Sequence, residues 1–338
     1  MKVSDFFVGR LHDWGVRRIY GYPGDGINGV LGALQRAGSI EFIQVRHEEM
    51  ASFMAVAHAK FIGEIGVCLS TGGPGATHMI TGLYDAKLDH VPVLAICGQA
   101  EATVRGASYQ QELNLDRMFA DVADFVQEAS APAQVRHLID RAMRVAIARN
   151  GVSALILPKD IQDSEYEEPQ VAHGFTRSGV GYSRPKIVPK TADLQSAANV
   201  LNAGTKIAIL IGAGARGAAD EVLQVAELLG AGVAKALLGK DVLPDDLSFV
   251  IGAIGLLGTE PCRRMKRFER YRSTSIRPCC PFAFQPKSIC TVMQLKRCGC
   301  LCPFCKRNLT EAGEATSKNT LRIGGKRSKD APKLRPTR

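Results

Sequence analysis

From Arg18 onward, short apolar runs rich in β-branched residues alternate with longer stretches whose apolar positions recur at helical spacing. The runs Arg18-Ile-Tyr20, Phe42-Ile-Gln-Val45, Ile65-Gly-Val-Cys-Leu69 and Val91-Pro-Val-Leu-Ala-Ile-Cys97 predict strands, and helices are predicted to start at Ile27, Glu49 and Gly75. A helix over 113–119, a strand over 121–127, a helix over 133–149 and a strand over 153–157 continue the series. Near-continuous apolar strands, each feeding a helix, predict an α/β fold with a parallel sheet flanked by helices. This first domain is predicted to occupy residues 1–163.

Residues 164–190 hold Glu165-Tyr-Glu-Glu-Pro169 and Ser183-Arg-Pro-Lys-Ile-Val-Pro189 without a sustained period, which reads as a linker. A second α/β domain over 191–258 follows, with a helix over 192–203, strands over 206–211 and 232–236, a helix over 218–229 and an apolar segment over 249–254. That is about half of a nucleotide-type domain, so the second domain is expected to be truncated. After Gly258 the alternation stops, and residues 259–338 are expected to form an irregular C-terminal tail.

Charge sharpens this division. The chain carries a net +10, but residues 259–338 hold 20 Lys/Arg against 5 Asp/Glu, leaving 23 against 28 in the rest. Any attraction to nucleic acid or an anionic membrane is thereby confined to the tail. Eight of the ten cysteines also lie there, between Cys262 and Cys305, while Cys68 and Cys97 sit in apolar runs. With no apolar run long enough to span a bilayer and no signal-peptide pattern at the start, the expected location is cytoplasmic, with the body in a reducing compartment.

Two glycine turns, Gly21-Tyr-Pro-Gly-Asp-Gly26 and Gly72-Gly-Pro-Gly-Ala76, each fall where a strand feeds a helix. Glycine lets a ligand approach the backbone closely, and a helix start offers free N–H donors; the same turns also serve simply as tight connections. Between them, Glu48 opens a helix directly after a strand, where a carboxyl group can handle protons or merely face the helix dipole.

With Arg46-His47-Glu48, the block from Thr71 to Gln99 and the downstream Tyr109-Gln-Gln-Glu112, residues 1–258 resemble the thiamine diphosphate enzymes of the pyruvate oxidase and acetolactate synthase group. Gly82-Leu-Tyr-Asp-Ala-Lys87 is similar to the bacterial pyruvate-oxidase-like branch. The resemblance implies that 1–163 is a pyrimidine-binding domain. It places Glu48 where the family's glutamate hydrogen-bonds the cofactor's N1′, favouring the imino tautomer that removes the thiazolium C2 proton. Pro23, Gly24, Thr71, Gly72, Pro74, Gly75 and Ala76-Thr77-His78 match the walls around the pyrimidine, with His78 also readable as a helix-face residue. Gln111 and Glu112 match the polar pair that reaches the active site, Gln111 being the second catalytic candidate. Gln110 stands where relatives carry Phe, which changes the expected substrate pocket.

Gly212-Ala-Gly-Ala-Arg-Gly217 fits the dinucleotide turn, but the next strand ends in Gly232-Val-Ala-Lys-Ala236 with no acid for a ribose, which argues against NAD. In the family this domain binds FAD in some members, so FAD is possible here. Gly24-Asp-Gly26 imitates the family's Mg²⁺-diphosphate motif, yet no Asn-Asn pair occurs anywhere in the chain to complete it. No metal ligand is therefore assigned.

In the tail, Cys298-Gly-Cys-Leu-Cys-Pro-Phe-Cys305 could hold Zn²⁺, although four thiols within eight residues leave little chain to wrap an ion. The preferred reading is a frameshift near residues 259–265, giving an unselected, disordered segment. The expected function is decarboxylation of a pyruvate-like 2-keto acid by a thiamine diphosphate enzyme that forms homo-oligomers when full length, the present truncated chain being inactive alone. The alternatives are a non-catalytic partner subunit of an intact paralogue, or zinc or nucleic-acid binding through the tail.

Overall fold

A computed structural model describes residues 1–169, 177–185, 187–256 and 258–259. The readings of the tail as a zinc site, a nucleic-acid segment or a frameshift product lie outside these residues. The chain divides into two compact units, Met1–Arg184 and the part from Pro185 onward. Among the described residues no helix is long and apolar enough to cross a membrane.

In the first unit the strands are β1 (Arg18–Gly21), β2 (Glu41–Gln44), β3 (Gly66–Ser70), β4 (Val93–Gln99), β5 (Phe125–Glu128) and β6 (Val152–Pro158). They form one sheet in the order β2-β1-β3-β4-β6-β5, with every pair parallel. The helices are α1 (Val3–Asp13), α2 (Asn28–Ala37), α3 (Glu48–Ile62), α4 (Pro74–Leu88), α5 (Leu115–Phe119), α6 (Val135–Arg149) and α7 (Lys159–Asp163). Right-handed crossovers dictate their sides. Connections that step one way along the sheet put α2 and α6 on one face, and those that step the other way put α3, α4 and α5 on the opposite face.

The two faces differ in side-chain size. On the α2 and α6 face, to which α1 also packs, Phe7, Leu11, Ile27, Val30, Leu69, Leu94, Ile96, Ile139 and Leu155 build a core of large residues. On the other face the sheet offers Cys68, Ala95, Cys97 and Ala154, and α3 and α4 answer with Ala51, Ala55, Ala59, Ala76 and Ala86, while Met79, Leu83, Leu115 and Phe119 supply the larger side chains of that layer. Small residues on both sides let α3 lie close to the sheet: a Cβ added to Gly66 would overlap the carbonyl of Ala55. Burial of Cys97 in this layer pushes its thiol up to about 12, and burial likewise raises Cys68.

The expected elements are present, with two helices that the alternating pattern had not announced. Helix α1 precedes the first strand, and α7 follows the last. The fifth strand starts four residues later than the predicted 121, because the chain from Ala120 to Asp124 turns out of α5 before pairing with β6. In the second unit, α8 (Thr191–Ala203) and α9 (Ala219–Leu229) accompany a parallel sheet β7-β8-β9, made of Ala208–Ile211, Gly232–Lys235 and Val250–Ala253. Ala198, Ile209, Ile211, Val222, Ala226 and Val233 form its own core.

Helix α1 is fastened to α6 by a polar clamp. Arg10 donates through Nε and Nη2 to the two oxygens of Asp140, at 3.0 and 2.8 Å, and Trp14 Nε1 donates at 2.7 Å. Burial alone would raise the Asp140 carboxyl, but these hydrogen bonds and the Arg10 charge outweigh it and hold it below the ordinary 3.8. A carboxyl depressed by folding contributes stability that is fully present above its unfolded value and is lost as pH falls toward the folded one. Replacing Asp140 by Asn should therefore cost about 3 kcal/mol at neutral pH, since it uncouples a buried pair. In denaturation curves the gap from wild type should hold steady above pH 5 and narrow once pH drops below 3.8.

Candidate active site

Neighbouring strands β1 and β3 send their connections to opposite sides of the sheet, and the carboxyl ends of such a pair leave a crevice suited to a ligand. Three turns meet at this end: residues 22–27 after β1, 45–47 after β2 and 71–73 after β3. Glu48 is the first residue of α3 and is 7% exposed. Its Oε2 lies 2.9 Å from His78 Nδ1 on α4, at hydrogen-bonding distance. Its Oε1 faces the backbone of Gly75, where an added Cβ would stand 3.2 Å away.

The closeness of α3 and α4 makes this pairing possible. A Cβ on Gly82 would overlap Ser52 Oγ and stand 2.9 Å from the Phe53 nitrogen, so the two helices touch backbone to side chain there. Nearer their N-termini the same approach brings the rings of His47 and His78 into a stack, with centroids 4.3 Å apart and planes inclined by 28°. His47 also caps α3, its Nδ1 accepting the Glu49 N–H at 3.3 Å. That bond requires Nδ1 to be unprotonated.

His47, Glu48 and His78 bring one potential ligand atom each within 4.8 Å of one another. A shared cation does not suit them. An imidazole binds a metal along a lone pair in its own plane at about 2 Å, and two stacked rings direct those lone pairs side by side rather than to one point. Both Nδ1 atoms are moreover engaged already, so the cluster reads as a hydrogen-bonded proton site.

The walls follow from the glycine turns. Thr71 is buried and packs against three glycines of the two turns, Gly24 and Gly75 among those expected there: a Cβ on Gly24 would stand 2.6 Å from its Cβ, one on Gly26 2.9 Å from its Oγ1, and one on Gly75 2.8 Å from its Cγ2. Gly72 backs onto the Gly98 carbonyl of β4. Gly73 caps α4 at φ 56°, ψ −117°, a left-handed setting that favours glycine, and Pro74 occupies the first helical position, where its missing N–H costs nothing. Pro23 and Gly24 line the other side, half-buried. Asp25 is directed away: it accepts from Asn28 Nδ2 at 2.9 Å, and its side chain is 82% exposed.

The loop over residues 100–114 lies against the third turn. Gln111, with φ 65°, rests its carbonyl where a Cβ on Gly73 would come within 2.6 Å, and its side chain is exposed. Glu112 is spent inside the loop, accepting the N–H of Gly106 at 2.7 Å and of Tyr109 at 3.1 Å. Gln99 anchors the loop to β4, donating to the Leu113 carbonyl and accepting the Ala100 N–H, both at 3.0 Å. A cavity of about 730 Å³ lies beside it, lined by Gln99, Tyr109, Glu112 and Leu113 among others, and its lining excludes Glu48 and His78.

Two further residues at this end stood outside the expected set. His47 belonged to the quoted signature without a role, and Gln99, as a polar residue closing an apolar run, could have been noticed. In the second unit the Gly-rich turn is wound into a 3₁₀ segment, Ala213–Ala218, and Arg216 Nε donates to Asp241 at 2.8 Å. Where a dinucleotide fold keeps its ribose acid, Lys235 is buried, donating to the Leu243 carbonyl at 2.7 Å and pairing with Asp245.

Comparison with known proteins supplies a name for this arrangement. Residues 1–118 match the N-terminal cofactor-binding domain of thiamine pyrophosphate enzymes, and residues 194–267 match their central domain. The thiamine pyrophosphate-containing protein YdaP of Bacillus subtilis is 38% identical over 252 residues, 74% of this chain and 43% of that protein. Pyruvate oxidase of Lactiplantibacillus plantarum is 36% identical over 253 residues, 74% and 41% respectively. Acetolactate synthase of Arthrospira platensis is 32% identical over 257 residues, 74% and 44%. The chain thus spans less than half the length of each.

The contact between α3 and α4 can be tested by volume. Gly82→Ala should lower unfolding free energy by roughly 1 to 3 kcal/mol, because the Phe53 backbone cannot yield as a side-chain tip would. Gly9→Ala in α1, where nothing lies within 4 Å of the new Cβ, should be neutral or stabilising by up to about 1 kcal/mol. Urea denaturation of the two variants would show the contrast, and equal behaviour would mean the helices are not in close contact.

Proposed function

The chain belongs to the thiamine pyrophosphate enzymes of the pyruvate oxidase and acetolactate synthase group, and on that premise we propose that its first unit forms the aminopyrimidine half of a thiamine diphosphate site used to decarboxylate a pyruvate-like 2-keto acid. The observation that carries this reading is the Glu48 carboxyl, buried at the sheet's switch point with one oxygen on His78 and the other facing Gly75. An aminopyrimidine is flat and presents the ring nitrogen N1′ at the edge opposite its amino group, which suits a single buried carboxyl group between two backbone walls. The donor set fits the group.

Glu48 would hold its proton at the ring nitrogen N1′. His78, bonded to the other oxygen, orients the carboxyl and gives that proton a second place to reside. The turns over 22–27 and 71–75 would confine the ring from both sides, with Thr71 between them, and the loop carrying Gln111 would shield the third turn from water. When bound, thiamine diphosphate supplies the thiazolium carbon that adds to the keto group and accepts the electron pair released with CO₂.

The diphosphate and its Mg²⁺ are assigned to residues beyond those described, on another stretch of chain or another subunit of a homo-oligomer, so the described units alone would not turn over. Support comes from the motif: Gly24-Asp-Gly26 has no Asn-Asn partner, and Asp25 is bonded to Asn28. For FAD in the second unit, the turn between β7 and α9 is the supporting feature, while Lys235 at the end of β8 weighs against a bound ribose.

Titration calorimetry tests the half-site. Thiamine and thiamine diphosphate with Mg²⁺ should bind this chain with similar, weak affinity, and Glu48→Gln should weaken both by roughly tenfold to a hundredfold, the worth of a charge-assisted hydrogen bond. Affinity indifferent to that substitution would remove Glu48 from the site. Much tighter binding of the diphosphate would place a phosphate and metal site within this chain.

A further inference from the structure

Gln162, in the short helix α7, is completely buried, and its amide is used from three directions. Nε2 donates to the carbonyls of Gly26 and Leu157, both at 2.8 Å, and Oε1 accepts the Val30 N–H at 3.3 Å. Both donor hydrogens are therefore occupied. Two of the three partners, Gly26 and Val30, belong to the first glycine turn and the first turn of α2, and the third is in β6. A Cβ on Gly29 would stand 2.8 Å from Gln162 Cβ, so the side chain is also wedged sterically against that segment.

Gly26 is held on its other side as well. Its N–H donates to Thr71 Oγ1 at 3.2 Å, and a Cβ on Gly98 of β4 would overlap its carbonyl oxygen. Thr71 in turn packs against Gly75, whose backbone faces Glu48 Oε1. One continuous line of contacts thus runs from Gln162 through Gly26, Thr71 and Gly75 to the catalytic carboxyl. Gln162 touches neither Glu48 nor His78.

We propose that Gln162 is a positioning residue that fixes the distance between the two glycine turns, and so the width of the slot that receives the aminopyrimidine. The inference rests on the cofactor reading given above. An apolar side chain of equal length would fill the same volume yet remove all three hydrogen bonds that Gln162 makes to Gly26, Leu157 and Val30. The first turn would then be free to drift from Thr71, opening the slot while the sheet and its cores stay intact.

The test combines hydrogen exchange with thiamine titration on the full chain, using Gln162→Met with folding checked by far-ultraviolet circular dichroism. Amide exchange in peptides covering 22–30 and 71–75 should quicken by about tenfold, with α1 and α6 unchanged, and thiamine affinity should fall by about tenfold. A glutamine that merely stabilised the unit would raise exchange throughout and leave affinity in proportion to the folded fraction. Wild-type exchange at 22–30, or wild-type affinity despite local loosening, overturns the positioning role alone. A wild-type chain that binds no thiamine overturns the cofactor reading and this inference with it. Should Gln162→Met fail to fold, Thr71→Val cuts the same line at the Gly26 N–H, and unchanged exchange at 22–30 in that variant would overturn the proposal.

Discussion

The site depends on how closely two helices can lie together over one face of a sheet. Packed helices lie with axes about 8 to 10 Å apart depending on the side chains at the contact, and small residues bring them to the lower end of that range. Here the layer between β3, β4, α3 and α4 sets Ala51, Ala55, Cys68, Ala76, Ala95 and Cys97 among the larger Met79 and Leu83, with Gly66 beneath Ala55 and Gly82 against Ser52. This compression brings the start of α3 beside the start of α4, so that a carboxyl on one meets an imidazole on the other. Larger residues in the layer would lift the helices and part Glu48 from His78.

Much of the fold was legible because its signal is periodic. Apolar runs such as Ile65–Leu69 and 91–97 can hardly be anything but buried strands, and the crossover rule then leaves few arrangements of six parallel strands. Helices α1 and α7 escaped because neither follows from the alternation: α1 lies before the first strand, and α7 has only five residues, too few to display a period. The late start of β5 reflects a similar limit, since a residue's propensity does not reveal where its hydrogen-bonding partner begins.

The site was legible to a different degree. Glu48, Thr71, His78 and the glycines of the two turns were named through resemblance, and the structure gathers them at one crevice. Glu112 was expected to reach the site, and its carboxyl accepts two backbone N–H groups of its own loop, a local geometry that no spacing encodes. Gln162 was invisible for a related reason. A buried glutamine differs in nothing from an exposed one until its three partners, drawn from positions 26, 30 and 157, are folded around it.

The loop over residues 106–112 carries its own consequence. With the Glu112 carboxylate bridging the N–H groups of Gly106 and Tyr109, its backbone conformation is fixed from within, independently of anything it covers. Ordering a flexible residue costs about 1 to 2 kcal/mol of conformational entropy, a penalty that a ligand meeting a mobile flap must offset out of its own contacts. On the proposed reading, a small molecule held beneath Gln111 would meet a backbone that has already given up that freedom, leaving its binding energy for selectivity rather than for ordering the loop.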